Sequence, residues 1–176
     1  MKKSDLIAMI YDAFDDVPYP GDDNIACPKH ELQHLVGYHW QDLPLELLYE
    51  RWNALSFLTF EGLHHFLPVF LIGFIRDEDQ LDDIFFYTPI WFAPPKFHPY
   101  GGLHGFKKRV WMFNKPQKKA IHAFLTYFIE RCLSDEWIEE SGVDFDALSR
   151  AEVFWNLLCG GQYEQAMLYA NSIWGE

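Results

Sequence analysis

Residues 40–75 read WQDLPLELLYERWNALSFLTFEGLHHFLPVFLIGFI, the most apolar part of the chain, and they hold two helix starts. Asp42 offers a side-chain acceptor for orphan amides, and Pro44 already has the helical φ. A helix is expected over residues 45–54, with Leu45, Leu48 and Trp52 on its apolar face and Leu47 and Leu55 beside them. Thr59 is expected to cap the next helix, over residues 60–75. There Phe60, Leu63, Leu67, Phe70, Leu71 and Phe74 share one side, and Phe66, Val69 and Ile72 cover much of another. A helix apolar on most of its circumference is a buried one, so residues 60–75 are read as the central helix. Pro68 removes one amide donor and leaves the His64 carbonyl without its usual partner, which predicts a kink.

Outward from this stretch the helical signals continue. Toward the N-terminus, Ser4 is a cap candidate for a helix over residues 5–14 with Leu6, Met9, Ile10, Ala13 and Phe14 inward. A short helix over residues 28–36 begins at Pro28 and stops at Gly37. On the other side, residues 76–83 read as an acidic turn and residues 81–87 as a short helix. Asn114 and Pro116 open a long helix to residue 133, with Ile121, Phe124, Leu125, Phe128 and Cys132 inward and Lys119, His122 and Thr126 outward. Residues 135–140 read as another helical turn. Ser149-x-x-Glu152 has the form of a capping box for a helix to residue 158. Gly160-Gly161 then separates it from a last helix that buries Tyr163, Ala166, Met167, Ala170, Ile173 and Trp174. The Gly161–Ala166 hairpin resembles one tetratricopeptide unit, but a solenoid needs at least about three, so it reads as an ordinary helical hairpin.

The expected fold is all-α: a single domain over residues 1–176, built as one compact bundle of about seven helices. Residues 88–113 are the exception. Pro89, Pro94, Pro95, Pro99, Gly101, Gly102 and Gly105 interrupt any long period, so the segment is expected to be irregular, with residues 108–113 able to pair in a small hairpin. It is rich in aromatic and basic residues.

Composition bounds the function. A chain of 176 residues, 49% hydrophobic and 18% aromatic, can bury a real core. The ten-residue apolar run 66–75 is too short to span a bilayer, and residues 1–14 show no signal-peptide pattern; a soluble, cytoplasmic protein is expected. Cys27, Cys132 and Cys159 are odd in number and widely spaced, against a disulfide framework or a thiolate zinc site. The net charge of −12 keeps the protein soluble and opposes binding to nucleic acid or to an anionic membrane. That charge is uneven. No Asp or Glu lies between Asp83 and Glu130, where seven of the fourteen Lys and Arg residues fall, and the rest of the chain nets −19.

One motif looks catalytic. His30-Glu31-Leu32-Gln33-His34 is H-E-x-x-H, which on an α-helix sets two imidazoles one turn apart to chelate zinc, with Glu31 as general base toward a bound water. The longer form of the motif has a third histidine where this chain has Trp40; His39 is one residue short. Only 29 residues precede His30, too few for the sheet that such folds place before the metal helix. A zinc-dependent hydrolase is therefore the alternative reading, and no cofactor is expected on the main one. His64 reads as a hydrogen-bonded core histidine, His65 as lying nearer Glu61 and Pro68, and Cys132 and Cys159 as core residues. No phosphate-binding or dinucleotide-binding glycine loop and no nucleophile elbow is present.

The residues Trp40-x-Asp42-Leu43, Leu47, Ala54-Leu55-Ser56-Phe57-Leu58-Thr59 and Phe66-Leu67-Pro68 resemble a family of small bacterial proteins catalogued as a domain of unknown function. Pro116-Gln117 with Phe124-Leu125 is a fainter echo, so the likeness spans roughly residues 5–135. It implies a helical fold and a cytoplasmic bacterial setting, and no activity; its pattern before the Trp has mixed charged residues in place of H-E-x-x-H. The reading that remains is a non-enzymatic protein-binding module of immunity or antitoxin type, by analogy. It would use Trp91, Phe97, His98, Tyr100, His104, Lys107, Lys108 and Arg109 toward a protein partner, the oligomeric state being open.

Overall fold

The computed structural model describes residues 1–49, 54–76, 91–96, 102–134 and 144–174. Among them the protein is all-α, as expected, and its one β feature is an isolated bridge between Ala26 and Leu58. The chain divides into two compact units, Met1–Ile84 and Phe85–Glu176.

In the first unit, α1 (Lys3–Phe14) buries Leu6, Ile10, Ala13 and Phe14. Met9, expected in that stripe, is exposed. The helix starts two residues earlier than expected, with Lys2 at the cap position. The Ser4 hydroxyl instead donates to the Asp5 carboxylate at 3.2 Å. Three 3-10 turns follow, Asp22–Asn24, Lys29–Leu35 and Trp40–Asp42, then the short helices α2 (Glu46–Tyr49) and α3 (Ala54–Phe57). Residues 50–53, in the second half of the expected 45–54 helix, lie outside the described residues, and Trp52 with them.

The central helix is α4 (Phe60–Arg76), with 13 of its 17 residues buried. Thr59 caps it as its sequence signature requires: the Gly62 amide donates to Thr59 Oγ1 at 2.9 Å. Pro68 sits inside α4 and the helix continues through it. Covering such a helix demands close approach. The segment Ile25–Cys27 lies against Phe57–Thr59, with the Cys27 amide donating to the Phe57 carbonyl at 2.8 Å and the Thr59 amide to the Ile25 carbonyl at 3.0 Å. Gly62 makes room for this, because a Cβ there would stand 2.1 Å from the Ile25 carbonyl oxygen.

In the second unit, residues 91–96 are fastened to α7 (Phe145–Cys159). Trp155 Nε1 donates to the Phe92 carbonyl at 2.9 Å, and Arg150 donates to the Pro94 carbonyl. Next comes α5 (Gly102–Met112), then α6 (Lys115–Ser134). Asn114 and Gln117 form a reciprocal cap on α6, each amide donating to the other's side-chain oxygen at 2.9 Å. All five residues expected to face inward on α6 are buried. The helix α6 packs on α7, and α7 on α8 (Tyr163–Ile173).

Three expectations are corrected here. Residues 102–112 form a helix rather than irregular chain or a hairpin strand. Gly102, Gly105, Phe106, Arg109 and Val110 are its buried residues, a helical i, i+3, i+4, i+7, i+8 series. Two glycines and an arginine hid it from a count of apolar residues. The helix α7 begins at Phe145 rather than at Ser149, because the Asp144 carboxylate accepts from the Ala147 amide at 2.8 Å. The earlier cap extends the same buried face back through Leu148 and Ala147. Tyr163, expected inside, is exposed on α8, where Ala166 and Ala170 are the buried residues. The expectations for residues 77–90 and 135–143 lie outside the described residues.

Replacing Gly62 by Ala forces a methyl into the Ile25 backbone, which cannot yield as a flexible side chain would. The expected loss is about 3 kcal/mol, at the upper end for overpacking, read as a fall in the urea midpoint at unchanged m value.

Candidate functional site

The H-E-x-x-H segment does not form the helix its chemistry needs. Glu31 donates its amide to the Pro28 carbonyl at 3.2 Å and Val36 to that of Gln33 at 3.2 Å, both bonds spanning three residues. With about three residues per turn, positions four apart are roughly a third of a turn out of line. Leu32, between the two histidines, also leaves helical geometry at φ −126°, ψ 37°. The His30 side chain lies outside the described residues; Glu31 and His34 are half-buried. Among the described residues no group of three or more His, Cys, Asp or Glu is placed to hold a metal ion.

The residues of the basic and aromatic segment separate into two sets. Phe97, His98 and Tyr100 lie outside the described residues. Arg109, expected at an interface, is buried at 9% exposure, and its guanidinium carbon stands 5.2 Å from the centre of the Trp91 ring. Burial pulls its pKa down to about 10, so it stays a cation at neutral pH, held by a cation–π contact. Arg109 therefore belongs to the scaffold. The opposite side of α5 carries His104, Lys107, Lys108 and Trp111, spaced i, i+3, i+4 and i+7. Trp111 is 56% exposed. Its Nε1 donates to the Tyr163 hydroxyl at 2.7 Å, and Lys107 Nζ donates to Asn171 Oδ1 at 2.6 Å. Thus α8 supplies Tyr163, itself 44% exposed, beside Trp111. The sequence pattern does not reveal this pair: Tyr163 falls on the expected buried face of the last helix, and Trp111 lies in a segment whose glycines and prolines obscure any period.

Charge is distributed along the same division. Met1–Ile84 has 16 Asp and Glu against 5 Lys and Arg, a net of −11; Phe85–Glu176 has 10 against 9, a net of −1. The solvent face of α5 is thus a cationic and aromatic strip on the nearly neutral unit.

A Cys–His–Asn grouping also appears in the second unit. His122 Nε2 lies 2.8 Å from Asn156 Oδ1, and the Cys159 thiol donates to the Lys118 carbonyl at 3.6 Å. Burial pushes the Cys159 thiol upward, against the smaller opposing effects of Lys118 and Lys119. A protonated thiol engaged with a backbone carbonyl is a poor nucleophile, so this grouping ties α6 to α7. Burial pushes the Cys132 thiol up to about 11, which makes it equally inert.

The core histidine is His65, not His64. His65 is fully buried, with Nε2 3.0 Å from the Trp40 amide and Nδ1 3.0 Å from the Pro18 carbonyl. His64 is half-buried, near Phe14.

No helix among the described residues is long and apolar enough to cross a membrane. Comparison with protein-family models, with curated proteins and with solved structures finds no match.

Two measurements separate scaffold from surface. Arg109→Ala is expected to lower stability by about 2–3 kcal/mol through lost packing and the emptied place beside Trp91, whereas Lys108→Ala stays within about 0.5 kcal/mol; urea denaturation of both variants decides it. Elemental analysis of the purified, untagged protein is expected to show zinc well below stoichiometry. Full occupancy that is lost in His30→Ala would restore the metal reading.

Proposed function

We propose that this chain is a non-enzymatic cytoplasmic bacterial protein that binds a protein partner, as immunity and antitoxin-type proteins do, through the solvent face of α5. The observation that carries the reading is the exposed Trp111–Tyr163 pair set among Lys107, Lys108 and His104. Trp and Tyr bury large rigid surfaces at little entropic cost and dominate binding energy where they occur at interfaces. Surrounding cations add steering and register more than affinity.

The partner is one that brings carboxylates and an apolar side chain to the strip. A protein with a local acidic patch meets that need. A nucleic acid or an anionic bilayer presents extended negative charge, and it would also face the −12 of the whole chain. The geometry of residues 29–35 lends no support to a hydrolase.

A photo-crosslinking amino acid at position 108 tests the proposal in cells of the source organism, with position 12 on α1 as the control. The expected outcome is one predominant protein adduct from position 108, absent from position 12 and lost in Trp111→Ala and in Lys107→Glu. An adduct with nucleic acid, or equal labelling from both positions, would overturn it.

A further inference from the structure

One imidazole closes both ends of a long excursion in the first unit. The chain leaves the end of α1, makes the turns Asp22–Asn24 and Lys29–Leu35, and returns at Trp40. Pro18 and Trp40, at the two ends, bind the same ring. The Trp40 amide donates to His65 Nε2 at 3.0 Å, so that nitrogen has no proton; Nδ1 then carries the proton and donates to the Pro18 carbonyl at 3.0 Å. The neutral ring matches one donor and one acceptor, and with 0% exposure no water is at hand to substitute for either.

From this geometry we infer that His65 is the pin of an acid-sensitive latch, holding residues 19–39 against α4 when neutral and releasing them when protonated. Imidazolium has two N–H donors, so protonation of Nε2 sets a donor against the Trp40 amide and leaves that amide buried without an acceptor. Among the described residues no acid is seen to act on the ring. On the side of the Trp40–Asp42 turn stands His39, its ring centre 4.8 Å away; on the side of Pro18 stands Tyr19, 5.4 Å away; α4 itself contributes His64 and Phe66. The nearby carboxylates are engaged elsewhere: Asp22 accepts from the Tyr19 hydroxyl at 2.5 Å and Asp15 from Gln41 Nε2 at 3.0 Å. Glu61, one turn earlier on α4, is exposed. Burial accordingly depresses the His65 pKa below the usual histidine value, and His39 and then His64 add to the effect, while the backbone carbonyls of Tyr38 and Pro18 act the other way.

The direction of the pH effect follows. With the closed-state pKa below the open-state value of about 6.5, closure is complete above about pH 6.5 and weakens as pH falls. One proton is taken up on opening, so the opening constant rises by up to about tenfold per pH unit below that point.

Amide hydrogen exchange on the full chain, corrected for intrinsic rates, reads this directly at pH 7.5, 6.5 and 5.5. The Trp40 amide is expected to keep its protection between pH 7.5 and 6.5 and to lose up to about tenfold by pH 5.5, while the amides of Phe124 and Leu125 in α6 hold theirs. His65→Gln retains an acceptor that does not titrate, and its Trp40 protection is expected to be flat over this range. Ring nitrogen shifts in the wild type serve if that variant fails to fold: they should report the Nδ1–H form and a midpoint below 6.5. Constant Trp40 protection, an ordinary His65 midpoint, the Nε2–H form, or equal loss across α6 would overturn the inference.

Discussion

A helix with 13 of 17 residues buried must be covered on nearly every side, and this demand on α4 organises the first unit. The cover comes from α1, from the segment Ile25–Cys27 and from the turn at Trp40–Asp42. Each piece needs a local permit. Gly62 lets backbone approach backbone at Ile25, Thr59 binds both the first turn of α4 and the carbonyls of Asn24 and Ile25, and His65 supplies the polar groups that Pro18 and Trp40 bring into an apolar place. The backbone groups that Pro18, Ile25, Cys27 and Trp40 bring to these joints are paired, because an unpaired one costs more than the bond gains, whereas the Trp40 indole nitrogen is buried without a hydrogen-bond partner among the described residues. Irregular chain can therefore pack as closely on α4 as a helix does.

The second unit solves a different problem. Its α6, α7 and α8 pack as successive neighbours, with Phe124 against Phe128 and Phe106 against Phe154 inside. Residues 91–96 are held by donors from α7 to the carbonyls of Phe92 and Pro94. Lys96 adds an ion pair at 3.3 Å to Asp146, which Arg150 also binds. With Asp146 57% exposed this pair steadies the segment without adding much stability. The helix α5 is left with one side in the core and the other bearing cations and Trp111, and that division supports its reading as a binding strip.

The two sites that looked most informative in sequence change meaning for reasons of geometry. The H-E-x-x-H pattern specifies residue types, but its chemistry depends on 3.6 residues per turn. Pro28 before it and Gly37 after it, at φ +85°, leave a short run that winds more tightly. The basic and aromatic segment was legible as a composition, yet Arg109 and Lys108, neighbours in sequence, point to opposite environments once α5 forms.

The sequence by itself determined the all-α class, the start of α4 at Thr59 and of α6 at Asn114, and the inward residues of α1 and α6, with Met9 the exception. These follow from caps and from a period of about 3.6 residues, both local properties of the chain. Tertiary structure alone decided that His65 rather than its neighbour His64 enters the core, that Gly102–Met112 is a helix, and that Tyr163 stands outside beside Trp111. In each of these cases the deciding partner lies 18 or more positions away: Trp40 for His65, Trp91 and Phe154 for α5, and Trp111 for Tyr163. For α5 the nearer of the two is Trp91, within 18 positions of Arg109 and across residues outside the described chain. A local pattern records what a residue prefers; which of two adjacent histidines is matched to a distant donor and acceptor is settled only when those groups are brought to it.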